Sequence, residues 1–348
     1  MIKKFRRTWS GSTRWRRAAY CALLALLLGS VLTLLPLATA AAALRLEYTG
    51  EPSAQALTRG RDAVWLGHAW VDGRKGEADV TELTRLLAGT GVRDLYVHTG
   101  PLEHDGSLPA ERYPRARQFV DEVHRLLPRL RVQSWLGDVV RPEKEGLDLD
   151  DPTVRGRIAG AAGQVLDLGF DGVHYDLEPV RSDSAGFLDL LDRTRALTSA
   201  RGVPLSVASP QIDPLPGLHR LSTAAFDHGK WWSQAYFADV AGRVDQIAVM
   251  SYDTAMPTES LYGGYVAQQT ELALEVTPPQ VDLLMGLPAY WDDTFGHRGS
   301  AETVAAAVRG ARLALGREAP GRQAFGLALY VDFTATPEHW AAYRSGWC

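Results

Sequence analysis

Cysteine is nearly missing from this 348-residue chain, which carries Cys21 and Cys348 and no others. One lies inside an apolar run and the other at position 348, so no disulfide framework can hold a domain and no cysteine metal site can form. Cys21 also precedes the main leucine run, which argues against a lipid-modified cysteine at a cleavage site. Acidic residues are missing from the first 44 positions. No Gly-rich phosphate loop follows a predicted strand, which disfavours an open doubly wound nucleotide-binding sheet, and no cofactor is expected. No short-period repeat is present. His68 and His98 lack a third partner at metal-ligand spacing, so no metal site is expected.

The N-terminus carries Lys3, Lys4, Arg6, Arg7, Arg14, Arg16 and Arg17, followed by an uncharged apolar run from Ala18 to Leu44. This is a targeting segment, either a retained anchor long enough to span a bilayer or a secretory signal cleaved near Ala38-Thr39-Ala40. In both cases the basic side stays in the cytoplasm and the rest is expected to be extracytoplasmic, secreted or anchored to the membrane. Removing the leader's seven basic residues from the 37 leaves 30 against 41 acidic ones, a net of −11 for the exported part. An acidic domain is a poor partner for nucleic acid, and a neutral glycan suits it better. Residues 45–62 are polar and glycine-containing and read as a linker, which leaves 63–348 as the folded domain.

From residue 63 strand-like and helical patterns alternate. Strands are expected at 63–70, 92–99, 130–136, 173–177, 204–209, 246–252, 281–287 and 325–331. Helical patterns begin near 79 and fall at 116–127, 151–168, 184–200, 266–276, 301–315 and 337–345, with an aromatic-rich insertion before Gly242. Eight such units predict an α/β fold, a (β/α)8 TIM barrel behind the N-terminal transmembrane or signal segment. Each strand begins apolar and ends in polar or aromatic residues, and those ends converge on the face where a barrel keeps its site.

The densest signal is Gly169 to Pro179. Side chains alternate along a strand, so Asp176 and Glu178 look into one space. Carboxylates held close favour a proton on one of them, as a general acid requires. Asp171 is expected to tie the strand's start to a neighbour.

Asp171-Gly172-Val173-His174-Tyr175-Asp176-Leu177-Glu178 and Met250-Ser251-Tyr252-Asp253 resemble the fourth- and sixth-strand signatures of the family 18 glycoside hydrolases, the chitinase and endo-β-N-acetylglucosaminidase group that includes peptidoglycan-hydrolase-like members. The likeness covers about 63–345. It implies that Glu178 is the general acid, that Asp176 orients the substrate's 2-acetamido group, and that Tyr252 hydrogen-bonds the acetamido oxygen, in a retaining, substrate-assisted hydrolysis of β-linked N-acetylhexosamine glycans such as chitin or peptidoglycan. Asp253 would help position the sugar, with Met250, Trp135, Tyr290, Trp291, Tyr330 and His174 lining the substrate. Two departures stand out: His174 replaces the family's frequent first acid, and Tyr330 replaces its eighth-strand tryptophan. His174 is either buried and neutral or bonded to Asp176. The alternative function is a carbohydrate-binding, lectin-like barrel without turnover.

Overall fold

The computed structural model describes residues 10–142, 145–226 and 229–348. Eight parallel strands close into one barrel: β1 (Asp62–Leu66), β2 (Val92–His98), β3 (Arg131–Val139), β4 (Gly172–Glu178), β5 (Leu205–Ser209), β6 (Gln246–Val249), β7 (Asp282–Pro288) and β8 (Phe325–Tyr330). Each pairs with the next, and β8 returns to β1 through Ala63 opposite Ala328. The flanking helices are α1 (Ser10–Glu47), α2 (Glu77–Leu87), α3 (Ala116–Leu126), α4 (Pro152–Asp167), α5 (Ala185–Arg201), α6 (Leu218–Phe226), α7 (Gln234–Ala241), α8 (Glu259–Val276), α9 (Val304–Glu318) and α10 (Pro337–Trp347). The fold expected from the alternating pattern is therefore the one observed.

Alternation along the strands makes two cores. Outward residues such as Val173, Tyr175 and Leu177 of β4 pack under the helices, while Ala63, Trp65, Tyr96, Trp135, Ala208, Ala248, Leu284 and Ala328 fill the interior. The base of the barrel is closed by a polar plug. Buried Asp94 accepts from Arg131 Nε at 2.7 Å, Gln133 Nε2 at 2.9 Å and Gln246 Nε2 at 3.0 Å. Burial raises the cost of that charge, but these partners outweigh it and hold the carboxyl below its ordinary range.

Element limits differ from expectation where local geometry intervenes. The first strand ends at Leu66, because His68–Trp70 form a 3-10 turn closed by Val71 N donating to His68 O. β6 ends at Val249, short of the expected 252, and Asp253 and Ala255 just beyond adopt positive φ. α8 starts at Glu259, well before residue 266, with Thr258 as its N-cap. Gly263 and Gly264 hide those first turns from a periodicity argument. The insertion after β5 contributes a short parallel pair, Gln211–Ile212 with Trp231–Trp232, and α6.

The polar stretch after α1 lies on the barrel. Arg312 donates to Ala56 O at 2.7 Å and Ser53 O at 3.2 Å, Arg309 donates to Gly50 O at 2.6 Å, and Ala56 is fully buried.

Candidate active site

β4 brings Asp176 and Glu178 to the inner wall at the C-terminal mouth, with Leu177 turned outward into the helix layer. Glu178 is open to the cleft, yet the surrounding protein strips much of its hydration. That loss, then the charges of Asp176 and Asp253, push its carboxyl well up, to about 8. Burial likewise raises Asp176, to about 6, and the facing Trp135 indole opposes the rise. The indole does not reach hydrogen-bond geometry, so Asp176 Oδ1 and Trp135 Nε1 are both buried without a partner among the described residues. Buried polar atoms are costly to leave unpaired.

Opposite β4, three tyrosines form an aromatic wall. Tyr252 stacks on Tyr330 with ring centroids 5.3 Å apart and planes at 23°, and Tyr290 meets both edge-on at 6.2 Å. The Tyr252 ring fits because β7 has glycine beneath it: a Cβ at Gly286 would lie 2.7 Å from Tyr252 Cε1 and 2.9 Å from Val249 O. Gln211 Nε2 donates to Tyr252 O at 2.6 Å and to Met250 O at 3.2 Å, fixing the backbone that presents this ring. Met250 itself packs against the interior cluster.

Asp253 has φ 56° and projects from the mouth, accepting from Tyr290 Oη at 2.7 Å. His297 Nδ1 lies 3.2 Å from Asp253 Oδ1 and 3.4 Å from Glu302 Oε2. Burial disfavours a charge on His297, but the two carboxylates outweigh it and raise its pKa to about 9. Glu302 is fully buried and accepts from the backbone N–H groups of Thr254, Ala255 and Arg298, which pins the loop carrying Asp253. Among the described residues Asp253, His297 and Glu302 form the one group with metal-ligand spacing. The imidazolium already supplies a cation there, and Lys230 Nζ donates to Asp253 O at 3.2 Å, so we read the group as an ion cluster. Sequence reasoning missed His297, which stands in no motif and no periodic segment, and Glu302, which falls at the start of the helical pattern expected at 301–315 with nothing to mark its partners in the loop after β6.

His174 lies one layer below the cleft. It is fully buried and stacks on Tyr96 at 3.8 Å. Trp65 Nε1 donates to its Nε2 at 3.0 Å, which leaves Nδ1 to carry the proton and donate to Ser206 Oγ at 2.8 Å. Burial lowers its pKa to about 3, so it is neutral. Both nitrogens are committed away from Asp176, which decides between the two roles left open for it and takes it off the substrate-lining set. Trp135 is buried at the floor, 6.2 Å from Tyr330. Trp291 is half exposed at the rim and stacks on His339 at 4.4 Å. Asp171 accepts from Val132 N at 2.8 Å, tying β4 to β3 as expected.

No protein-family model matches the chain, and no curated protein matches it. Solved structures do. The spore cortex-lytic enzyme SleL of Bacillus cereus superposes with a TM-score of 0.56 at 14% identity, covering 86% of this chain and 76% of that one. A class V chitinase of Pseudomonas fluorescens gives 0.55 at 15%, covering 82% and 98%. The family 18 chitinase ChiB of Flavobacterium johnsoniae gives 0.53 at 15%, covering 82% and 93%. Together with the closed eight-stranded sheet, these likenesses establish that the chain has the β/α-barrel fold those enzymes share.

Proposed function

We propose that the chain is an exported glycoside hydrolase that cleaves β-linked N-acetylhexosamine glycans with retention, the substrate's own acetamide serving as nucleophile. The observation that carries this reading is the paired environment of Glu178 and Asp176. One acid keeps its proton near neutral pH at an open strand end, and the other stands two residues before it on the same face of β4, its own pKa raised by burial. Structural neighbours named as chitinases and as a spore cortex-lytic enzyme support the glycan class.

Glu178 donates its proton to the glycosidic oxygen as the C1–O bond breaks. The acetamido oxygen attacks C1 from the other face and forms an oxazolinium ion. Asp176 accepts from the amide N–H and balances the positive charge. Tyr252 donates to the acetamido oxygen and directs it. Glu178, now a carboxylate, takes a proton from the water that opens the ring, which restores both the acid and the original configuration. The wall of Tyr252, Tyr290 and Tyr330 offers faces for pyranose stacking.

Glu178→Gln keeps the shape and removes the proton. Turnover of N-acetylglucosamine oligomers is expected to fall at least ~10²-fold, the scale of general acid catalysis, with oligomer binding retained. Wild-type rates in that variant would refute the assignment of the acid. Binding without any product from the wild-type protein would favour the lectin-like alternative. Export is carried in this reading by the N-terminal helix, long and apolar enough to cross a membrane from Trp15 to Glu47.

A further inference from the structure

The first helix has a direction relative to the barrel. α8 leaves β6 at the mouth and descends to the base, where β7 begins. Ala41 and Leu44 of α1 pack in a cluster with Met256, Leu261 and Tyr265, at and just before the upper end of α8. Glu47 pairs with Arg317, which also holds Glu271 toward the lower end. The last turns of α1 therefore run alongside α8 from mouth to base, and everything before Ala41 lies on the mouth side. The junction is tight. A Cβ at Gly264 would fall 1.8 Å from Leu44 O, and one at Gly263 would fall 2.1 Å from the Tyr48 ring, so backbone and ring press into a glycine notch that leaves no swivel.

From Trp15 to Ala40 the described side chains of α1 are exposed, and the uncharged part from Ala18 to Ala40 is about 35 Å long at ~1.5 Å per residue. A bilayer's hydrocarbon core needs about 30 Å. The barrel's own surface repeats the polarity. Outside α1, the large apolar side chains exposed among the described residues are Leu215, Leu221, Trp291, Phe295 and Phe333. All five lie in the connections that follow β5, β7 and β8, at the mouth. Exposed aromatic and leucine side chains confined to one end of the barrel suit that end to an apolar surface. The face they share is the one from which the apolar helix departs.

We infer that α1 is a retained anchor that seats the barrel mouth-first on the extracytoplasmic surface of the membrane it crosses, with these five side chains at the lipid interface. The cleft then takes glycan held at the bilayer surface, a lipid-linked N-acetylhexosamine chain in preference to free polymer. The seating stands on the helix direction and the apolar rim, and the glycan class rests on the function proposed above.

The full chain, with Cys21→Ser and Cys348→Ser, is given a single cysteine by Leu215→Cys or Phe295→Cys at the mouth, or Gly321→Cys at the base. Each is labelled with an environment-sensitive fluorophore and reconstituted in phosphatidylcholine vesicles containing spin-labelled lipid. Quenching several-fold stronger at the two mouth positions than at Gly321 is the expected result. Equal quenching at all three, or stronger quenching at Gly321, would overturn the seating. N-terminal sequencing of membrane-extracted protein is expected to find the leader intact, and a new terminus near Ala41 would overturn retention. Turnover is then compared for an N-acetylglucosamine oligomer linked to lipid in the same vesicle and for the free oligomer. At least a tenfold preference for the linked form is expected, and equal rates would overturn the substrate preference. No turnover of either form would count against the hydrolase reading, while the quenching still decides the seating.

Discussion

Replacing His297 by asparagine separates the ion cluster behind Asp253 from the acids of β4. The buried imidazole faces Asp253 and Glu302 through one nitrogen, and neither ring nitrogen meets hydrogen-bond geometry, so the attraction is mainly between charges. A rise from 6.5 to about 9, at ~1.36 kcal/mol per pH unit, corresponds to at most ~3 kcal/mol. Asp253 stands open to solvent, and screening of that partner reduces the figure to ~1–2 kcal/mol. The sign follows from linkage. The folded state holds the proton more tightly, so the stabilisation is complete below pH 6.5 and is lost as pH rises through about 9. Thermal unfolding of the full chain in detergent, wild type against His297→Asn, measures it across pH 6–10. At about 2–4 °C per kcal/mol, the gap in Tm is expected to shrink by several degrees between pH 6.5 and 10. Asp176 and Glu178 titrate in both proteins and cancel in the difference. A gap that stays constant over this range would show that His297 is not held charged by its two carboxylates.

The same electrostatics predicts the alkaline side of the rate profile. Glu178 must enter the reaction protonated, so kcat/KM is expected to fall as pH rises through about 8. Asp253→Asn removes one of the charges that raise this acid, and its alkaline limb is expected to move to lower pH; an unmoved limb would sever Asp253 from Glu178. Gly286→Ala places a methyl against both the Tyr252 ring and Val249 O. We expect a stability loss of ~1–3 kcal/mol by urea unfolding, since the carbonyl cannot give way. A fall in kcat on the order of 10²-fold is expected as the tyrosine shifts, and wild-type kcat would show that the Tyr252 position does not matter.

Much of this molecule was legible in one dimension. Asp176 and Glu178 share a face because strand side chains alternate, and eight repeats of apolar start and polar end announce a closed barrel whatever the loops do. The tyrosines at 252, 290 and 330 were visible as strand-end residues. Their assembly into one stacked wall follows from β6, β7 and β8 being neighbours in that barrel.

What tertiary structure alone decided has a common character. The role of His174 was open between a buried neutral ring and a partner of Asp176 until the interior packing gave Trp65 and Ser206 to its nitrogens. Glu302 reaches back 48 residues to the loop after β6, and no spacing rule announces a contact between irregular segments. The stretch after residue 45 has the composition of a linker, yet Arg309, Arg312 and Arg317 hold its carbonyls and Glu47 against the barrel. Gly263 and Gly264 weaken the helical pattern in the sequence and, in the fold, form the notch that receives Leu44 and Tyr48. Local periodicity specified the strands and the face each side chain would take, because those depend on near neighbours in the chain. The partners of buried charges and the direction of the N-terminal helix depend on residues brought together by closure of the barrel, and only the folded structure holds that information.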